Sequence, residues 1–339
     1  NQWPESYFIS PAKFISNGLD VFILNFGTQI DYLKQVAFFF IMLPVKIGLQ
    51  LSVSPYTWGF ELTPFLITAY FIIMMLFASW CFIKFSKDAA VGVVLFSIFI
   101  YFGLTNMPWL PLIFIYGLIG YRIGGFKLSL TIIASFMFIT FTGVLPQALL
   151  SIYLCGIAVI ISFILGASLG IWAAHNDKVS AFMRPINDTM QTMPSFVILI
   201  PFVMFFGIGE FTALLAIIAY AFVPAMRYTE HGLRNLPETV IEAARMIGCS
   251  QAQLLWKVKI PLAMPVIMLG LNQTIMFGLA MLVIAALVGT TGLGQLIYIG
   301  LSKADFGTGM ISGVSIALIA IIFDRTTQAW RIKLEKKTQ

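Results

Sequence analysis

The chain has 339 residues, of which 60% are hydrophobic and only 10% are charged, and its mean hydropathy is +0.95. Soluble globular domains carry about 25% charged residues, so this composition excludes a soluble protein and predicts an all-α polytopic membrane protein. The net charge of +6 does not indicate nucleic-acid binding, because the lysines and arginines fall in short loops between apolar runs.

The first 62 residues mix polar and apolar side chains and are predicted to form an extracytoplasmic or interfacial segment. Lys34 and Lys46 flank or interrupt an apolar stretch there, and Pro44 is expected to break it. A helix lying in the membrane interface is therefore favoured over a span for residues 34–52, and the two alternatives stay open.

Clear apolar runs begin at residue 63 and predict about eight to nine transmembrane helices. Residues 63–146 are expected to form accessory spans, residues 147–328 contain the polar motifs and longer loops, and residues 329–339 form a basic tail. The predicted spans are 63–83, 88–104, 108–121, 127–145, 147–174, 194–208, 211–226, 264–289 and 307–324.

The distribution of cations predicts the orientation. If the C-terminus is cytoplasmic, 16 of the 20 lysines and arginines lie on the inner side, as the positive-inside rule requires. The four exceptions are Lys13, Lys34, Lys46 and Lys303.

Several kinds of chemistry are not indicated by the sequence. Cys81, Cys155 and Cys249 are widely scattered without metal or redox spacing, so no metal site or catalytic residue is predicted. No G-x-x-x-x-G-K-[ST] motif occurs, so the chain is not expected to hydrolyse ATP itself. The interiors of the predicted spans contain essentially no Asp, Glu, Lys or Arg, which argues against a proton-driven carrier. A sodium-coupled carrier that uses backbone carbonyls stays open.

The most informative segment is the polar interruption from Arg227 to Pro261. Pro237 suits the first turn of a helix, and apolar residues then recur at helical spacing at Val240, Ile241, Ala244 and Ile247. Gly248 is predicted to end this helix in a left-handed conformation. Ser250 and Gln253 fit a capping box for a second short helix, which Pro261 is expected to stop.

This helix-turn-helix is predicted to dock on a cytoplasmic partner, because a low apolar ridge with an acidic residue fits a protein groove. An ordinary connecting loop is the alternative. DNA binding is not expected of a segment tethered to the bilayer at both ends.

The order Glu242-Ala243-Ala244, Gly248 and Val258-Lys259-Ile260-Pro261 resembles the EAA loop of ABC importer permeases. The resemblance implies a type I ABC importer transmembrane domain with a cytoplasmic coupling helix at about 230–261. Coupling to a separate ATPase subunit is accordingly assigned to Glu242, Ala243, Ala244, Arg245, Gly248 and Pro261.

The glycine betaine/proline osmoprotectant permeases are similar over about residues 147–328. The motifs that carry this similarity include Met190-Gln191-Thr192-Met193-Pro194, Phe206-Gly207-Ile208-Gly209, Leu271-Asn272-Gln273-Thr274 and Gly292-Leu293-Gly294-Gln295. The resemblance implies an inner-membrane permease for a betaine-like osmolyte that forms a homodimer, receives solute from an extracytoplasmic binding protein and is surrounded by lipid. It implies no cofactor on this chain, with ATP and Mg on the partner ATPase. The N-terminal region departs from that group by about two extra spans.

Two interpretations of the polar run inside a predicted span stay open. Asn272, Gln273 and Thr274 can hold helices together by hydrogen bonds, or they can line a solute pathway. Candidate pathway residues are Pro194, Phe196, Asn272, Gln273, Thr274 and Met276. Rival functions are a stand-alone secondary carrier or channel for a small zwitterion, and a purely scaffolding subunit.

Overall fold

A computed structural model describes residues 11–51, 64–84, 93–94, 97 and 109–338, and every secondary-structure element in these ranges is helical. This confirms the predicted all-α fold class. The helices are numbered among the described residues: α1 Pro11–Ala37, α2 Leu43–Leu51, α3 Pro64–Lys84, α4 Trp109–Phe141, α5 Leu145–His175, α6 Asp177–Thr192, α7 Ser195–Phe206, α8 Glu210–Arg234, α9 Glu238–Met246, α10 Ile260–Ala285, α11 Leu293–Ser302 and α12 Phe306–Thr338. Short segments of other helix types are Phe38–Met42 and Leu254–Lys259 (π), Gln251–Gln253 (a single turn) and Ala286–Val288 (3-10).

Five helical stretches within the described ranges are long and apolar enough to cross a bilayer. They are Trp109–Phe141, Leu145–His175, Glu210–Arg234, Gln251–Val288 and Phe306–Glu335. α6 and α7, which meet at a bend of 104°, would together make a sixth. The span predicted at 88–104 lies outside the described residues apart from three positions, so the total of eight to nine stays a prediction.

The centre of the bundle is α8, which packs against α5 on one side and α10 on the other. Close approach to α5 is possible because Gly166 and Gly170 stand four residues apart on one face of α5. A Cβ on Gly166 would lie 2.5 Å from the carbonyl oxygen of Phe222, and one on Gly170 would lie 2.6 Å from that of Met226. Sequence reasoning missed this contact, although a G-x-x-x-G pattern was present to indicate it.

The predicted spans 108–121 and 127–145 correspond to the two helical parts of α4, which meet at Gly125, a residue with non-helical backbone angles. Gly125 has φ 76° and ψ −167°, a backbone conformation that suits only glycine. Two straight segments therefore exist on either side of this residue. They are joined by a kink inside one helical element and not by a loop.

The expectation that Pro44 breaks the N-terminal helix is wrong. Helical structure runs from Pro11 to Leu51, and a π turn at Phe38–Met42 precedes the proline. At the end of this turn the N–H of Leu43 bonds to the carbonyl of Phe38, five residues back. The wider turn moves the backbone carbonyl that the proline ring would otherwise strike, so the helix continues.

α2 packs against α5, and Met42 beside it is fully buried. The N-terminal segment is thus part of the helical bundle. Whether residues 34–52 span the membrane or lie on it stays a prediction.

Candidate functional site

The polar segment after Arg227 folds as a helix, a turn and a second helical stretch. α8 stays helical to Arg234, so the interruption is shorter than the sequence pattern indicates. α9 begins at Glu238, and Pro237 is its N-cap, with φ −58°. Pro237 therefore lies just before the first turn, in which it was expected. The acidic Glu238 lies in the first turn, where the helix dipole favours a negative charge.

Two local motifs shape the turn, and both confirm the prediction. Gly248 has φ +86°, and the N–H groups of Gly248 and Cys249 bond to the carbonyls of Arg245 (2.9 Å) and Ala244 (3.2 Å). This pair of bonds is a Schellman motif, which satisfies the last carbonyls of α9. The next helical turn starts with a reciprocal capping box, in which Ser250 N–H donates to Gln253 Oε1 (2.9 Å) and Gln253 N–H donates to Ser250 Oγ (3.3 Å).

The surface of this elbow, which we define as residues 238–250, combines one anchor with an exposed tip. Ala244 is 8% exposed and α9 packs on the π segment Leu254–Lys259. Of the other residues of the predicted apolar face, Ile241 is half-buried, Val240 is exposed and Ile247 is 84% exposed. The Schellman turn redirects the chain at Ile247, so this side chain projects outward beside Met246, which is 89% exposed. Two large apolar side chains therefore stand uncovered at the tip of a polar elbow.

The expectation that Pro261 stops the second helix is also wrong. The capping turn Gln251–Gln253 passes through a π segment, Leu254–Lys259, directly into α10. The N–H of Ile260 bonds to the carbonyl of Leu255, five residues back, which is the arrangement found before Pro44. The elbow is consequently continuous with the long helix that follows it.

The stem of the elbow is held by Arg234, a residue that sequence reasoning did not single out. Its guanidinium forms ion pairs with Asp177 Oδ1 (2.8 Å) and Glu230 Oε1 (3.0 Å), and it donates a hydrogen bond to the carbonyl of Ala173 (2.7 Å). Ser180 Oγ donates to the same Glu230 carboxylate at 2.5 Å. Arg234 thereby connects the end of α5, the start of α6 and the last turn of α8, three residues before Pro237.

A polar cavity of about 550 Å³ lies beside this stem, between α6 and the end of α8. Its charged lining is largely paired, because Arg227 bonds Asp188 and Arg234 bonds Glu230. Asn187, which also lines the cavity, is 2% exposed and its Oδ1 has no hydrogen-bond partner among the described residues. Arg184 also lines the cavity, and it makes no ion pair with a described residue. The cavity thus combines two ion pairs with one further positive charge.

The polar run of α10 makes contacts between helices. Asn272 Nδ2 donates to Asp324 Oδ1 at 2.9 Å, and Thr327 Oγ1 donates to Asn272 Oδ1 at 2.7 Å, so α10 is tied to α12. Thr274 is fully buried and donates to the carbonyl of Gly270 at 2.8 Å. Gln273 and Met276 are half-buried. These bonds confirm that Asn272 acts between helices, and a role in a pathway stays a prediction.

The remaining pathway candidates stand apart from that run, at the break between α6 and α7. Pro194 is the N-cap of α7 (φ −55°, ψ 130°), at the 104° bend. Phe196 follows in the first turn of α7 and is exposed. The bend matches the expectation that this proline interrupts a helix.

A second polar network lies at the N-terminal end of α8, after the turn formed by Gly207, Ile208 and Gly209, in which both glycines have positive φ. Glu210 accepts from Lys46 Nζ (2.5 Å), Thr291 Oγ1 (2.9 Å) and Tyr153 OH (3.4 Å). This network connects the N-terminal segment to α5, α8 and the turn before α11. Sequence reasoning did not single it out.

The geometry has a counterpart in a known family. Residues 166–330, which include α8, the elbow, α10 and most of α12, match the family described as binding-protein-dependent transport system inner membrane component. The chain is also 37% identical over 255 residues to the glycine betaine transport system permease protein OpuAB of Bacillus subtilis, covering 75% of this chain and 90% of OpuAB. The chain belongs to this family of transport system inner membrane components.

Other relatives share the same region. The glycine betaine/proline betaine permease ProW of Escherichia coli is 40% identical over 226 residues, which are 67% of this chain and 64% of ProW. The trimethylamine N-oxide permease TmoV of Pelagibacter ubique is 43% identical over 218 residues, 64% of this chain and 30% of TmoV. The matched region thus spans less than two thirds of either relative.

A solved structure shows the same fold at low sequence identity. A chain of the inward-facing MetNI methionine ABC transporter superposes with a TM-score of 0.50 at 18% identity, covering 56% of this chain and 95% of that one. The predicted type I ABC importer transmembrane fold is therefore confirmed, within a chain that also carries additional N-terminal helices.

Proposed function

We propose that this chain is the membrane-spanning permease subunit of an ATP-driven importer for a small betaine-like osmolyte. The solute class comprises glycine betaine, proline betaine, choline and trimethylamine N-oxide. Its relatives OpuAB, ProW and TmoV are permeases for glycine betaine, proline betaine and trimethylamine N-oxide, and this supports the class.

The observation that carries the proposal is the elbow with its uncovered tip. Met246 and Ile247 are exposed in an otherwise polar segment, while the Schellman motif and the capping box hold the backbone rigid beneath them. Exposed apolar side chains on a rigid polar element are typical of a docking site. The occupant proposed is a cytoplasmic ATPase subunit, with Glu242, Ala243 and Arg245 on the exposed side and Ala244 against the permease.

Force would reach the pathway through the two helices that continue from the elbow. α8 precedes it, α10 follows it, and these helices pack along one another. Movement of the ATPase would therefore shift α8 and α10 together and switch the pathway between inward- and outward-facing states. ATP and Mg would act on the partner subunit.

The assembly proposed contains two copies of this chain, two ATPase subunits and an extracytoplasmic solute-binding protein in the bacterial inner membrane. The C-terminus would be cytoplasmic. Contacts that join the predicted inner loops support this orientation, because Lys333 donates to the Arg122 carbonyl and Lys259 lies 3.3 Å from His175. These cation-rich loops thus meet at one end of the bundle, as the positive-inside rule requires.

The test is uptake of labelled glycine betaine into proteoliposomes that contain this chain, its ATPase subunit and its binding protein. Gly248→Val forces a branched side chain into a left-handed conformation and is expected to reduce ATP-dependent uptake at least tenfold. Gly313→Val is the control, because Gly313 has open space around its Cβ position and no positive φ. Glu242→Lys should reduce uptake as well, without loss of membrane insertion.

Equal uptake by Gly248→Val and Gly313→Val would refute coupling through the elbow. The rival function, a stand-alone carrier, predicts gradient-driven uptake by this chain without ATPase. A purely scaffolding subunit predicts no flux in either preparation.

A further inference from the structure

The kink of α4 at Gly125 opens a cavity of about 700 Å³ against the cytoplasmic part of α12. Arg122 and Lys333 contribute two positive charges to its lining, and none of the described residues that line it is acidic. The rest of the lining is apolar, aromatic or glycine. This cavity has two cations and an apolar wall, whereas the cavity beside the elbow is lined by two ion pairs.

The two cations are held near each other by a backbone contact. Lys333 Nζ donates to the carbonyl oxygen of Arg122, in the turn that precedes the kink. An ammonium group has three N–H donors, so two remain for a ligand. The guanidinium of Arg122 makes no ion pair with any carboxylate in the described part of the chain. Both groups can therefore donate to one anionic oxygen cluster.

The apolar wall indicates what carries that anion. Phe126 is 70% exposed, and Tyr121 and Ile332 are also exposed beside the cations. Small soluble anions gain nothing from such a wall, whereas acyl chains do. The absence of an acidic residue in the lining also leaves no partner for the ammonium of a zwitterionic headgroup.

The depth of the cavity fits the headgroup layer. Lys333 lies 27 residues after Phe306, the first residue of α12, which is about 40 Å along a helix. The hydrocarbon core is about 30 Å thick, so Lys333 extends roughly 10 Å past it when α12 starts at the opposite boundary. The cations then lie where lipid phosphates lie, on the side that the cation distribution assigns to the cytoplasm.

We infer that this cavity, formed by the α4 kink and α12, binds the headgroup phosphate of an anionic phospholipid of the inner leaflet. Arg122 and Lys333 clamp the phosphate, and the acyl chains follow the apolar wall. The lipid joins the accessory helix α4 to the permease core, since α4 and α12 pack on each other. This inference does not depend on the transported solute.

The experiment measures lipid retention by the purified full chain in neutral detergent, using native mass spectrometry with phosphatidylglycerol and phosphatidylcholine in competition. Wild-type protein should retain phosphatidylglycerol preferentially. Each of Arg122→Gln and Lys333→Gln should weaken this retention about fivefold, and the double variant roughly thirtyfold, since each interfacial cation contributes about 1 kcal/mol. Lys178→Gln, which removes an exposed cation of α6, is the matched control.

Arg122→Lys should retain much of the preference, which separates charge from folding defects, and circular dichroism checks the fold of every variant. Equal retention of the two lipids by wild type would overturn the inference, as would a double variant that behaves like Lys178→Gln. Displacement of phosphatidylglycerol by equimolar inorganic phosphate would identify a soluble anion as the ligand and also overturn it.

Discussion

Replacing Arg234 should separate ATP hydrolysis from transport, because this residue holds the stem of the elbow. The guanidinium contacts three different helices or helix ends through Asp177, Glu230 and the Ala173 carbonyl. Arg234→Gln removes the charge and most of these donors, and it leaves Glu230, whose side chain is only 13% exposed, with Ser180 as its remaining partner. The elbow would then be held less firmly to α5 and α6, because the contacts with the Ala173 carbonyl and Asp177 are lost or weakened.

The magnitude follows from the three contacts. Asp177 is 90% exposed, so its ion pair contributes at most about 1 kcal/mol. The hydrogen bond to the Ala173 carbonyl has a charged donor and is worth about 1.5–3 kcal/mol. The partly buried ion pair with Glu230 adds about 1 kcal/mol. Part of this loss is recovered, because neighbouring side chains can relax and Ser180 still donates to Glu230. Arg234→Gln should therefore lower the free energy of unfolding by roughly 2–4 kcal/mol, and Arg234→Lys by about half as much.

The assay is solute moved per ATP hydrolysed in proteoliposomes, measured beside thermal unfolding in detergent. Arg234→Gln should lower this ratio at least tenfold while ATP hydrolysis continues, because the partner still docks on an intact tip. Arg227→Gln is the matched control, since its ion pair with Asp188 is exposed on both sides. If the two variants give the same ratio and the same unfolding temperature, the role assigned to Arg234 is wrong.

Three further predictions concern packing, helix connection and pH. Gly166→Ala should lower the free energy of unfolding by about 1–3 kcal/mol, because the new Cβ meets the backbone of α8. Gly156→Ala is the control, since a Cβ there has open space. Equal unfolding temperatures of the two variants would contradict the prediction. Asn272→Ala should lower the unfolding temperature by breaking the α10–α12 bonds, worth about 1 kcal/mol each; a changed KM for solute with unchanged stability would instead place Asn272 in the pathway. Finally, the Thr308 hydroxyl and N–H hold the pKa of the exposed Asp305 carboxyl below its ordinary value. That cap should stabilise α12 above about pH 4 and lose its effect as the pH falls through the lowered pKa. Titration of Asp305 by NMR should show a smaller lowering of the pKa in Thr308→Val, which loses the hydroxyl and keeps the backbone N–H groups.

Local rules predicted the parts of the elbow that depend on neighbouring residues. The left-handed Gly248 and the Ser250–Gln253 box follow from residues at most a few positions apart, so the sequence contains the whole motif. Arg234 and Asp177 are far apart in sequence, and their contact exists only because α6 begins where α5 and α8 end. Nothing in the one-dimensional pattern distinguishes this arginine from the other cations of the loop.

Other differences arise from the choice of helix type. The rule that proline ends a helix assumes an α-helical turn before the proline, and no residue pattern here indicates a wider turn. Pro44 and Pro261 both follow a π turn, so both proline-based boundaries were wrong for the same reason. The G-x-x-x-G pair of α5, by contrast, was readable from the sequence and was overlooked.

The π turn before Pro261 has a mechanical consequence for the proposed transporter. A helix stopped at Pro261 would leave a flexible joint between the elbow and α10, and a push on the elbow would be absorbed there. The observed chain is helical from Gln251 to Val288, so displacement of the elbow is passed along α10 to Asn272 and its bonds with α12. Because α10 also packs along α8, the same displacement moves the central helix of the bundle. Coupling therefore depends on the continuity of α10 through the proline as much as on the docking surface itself.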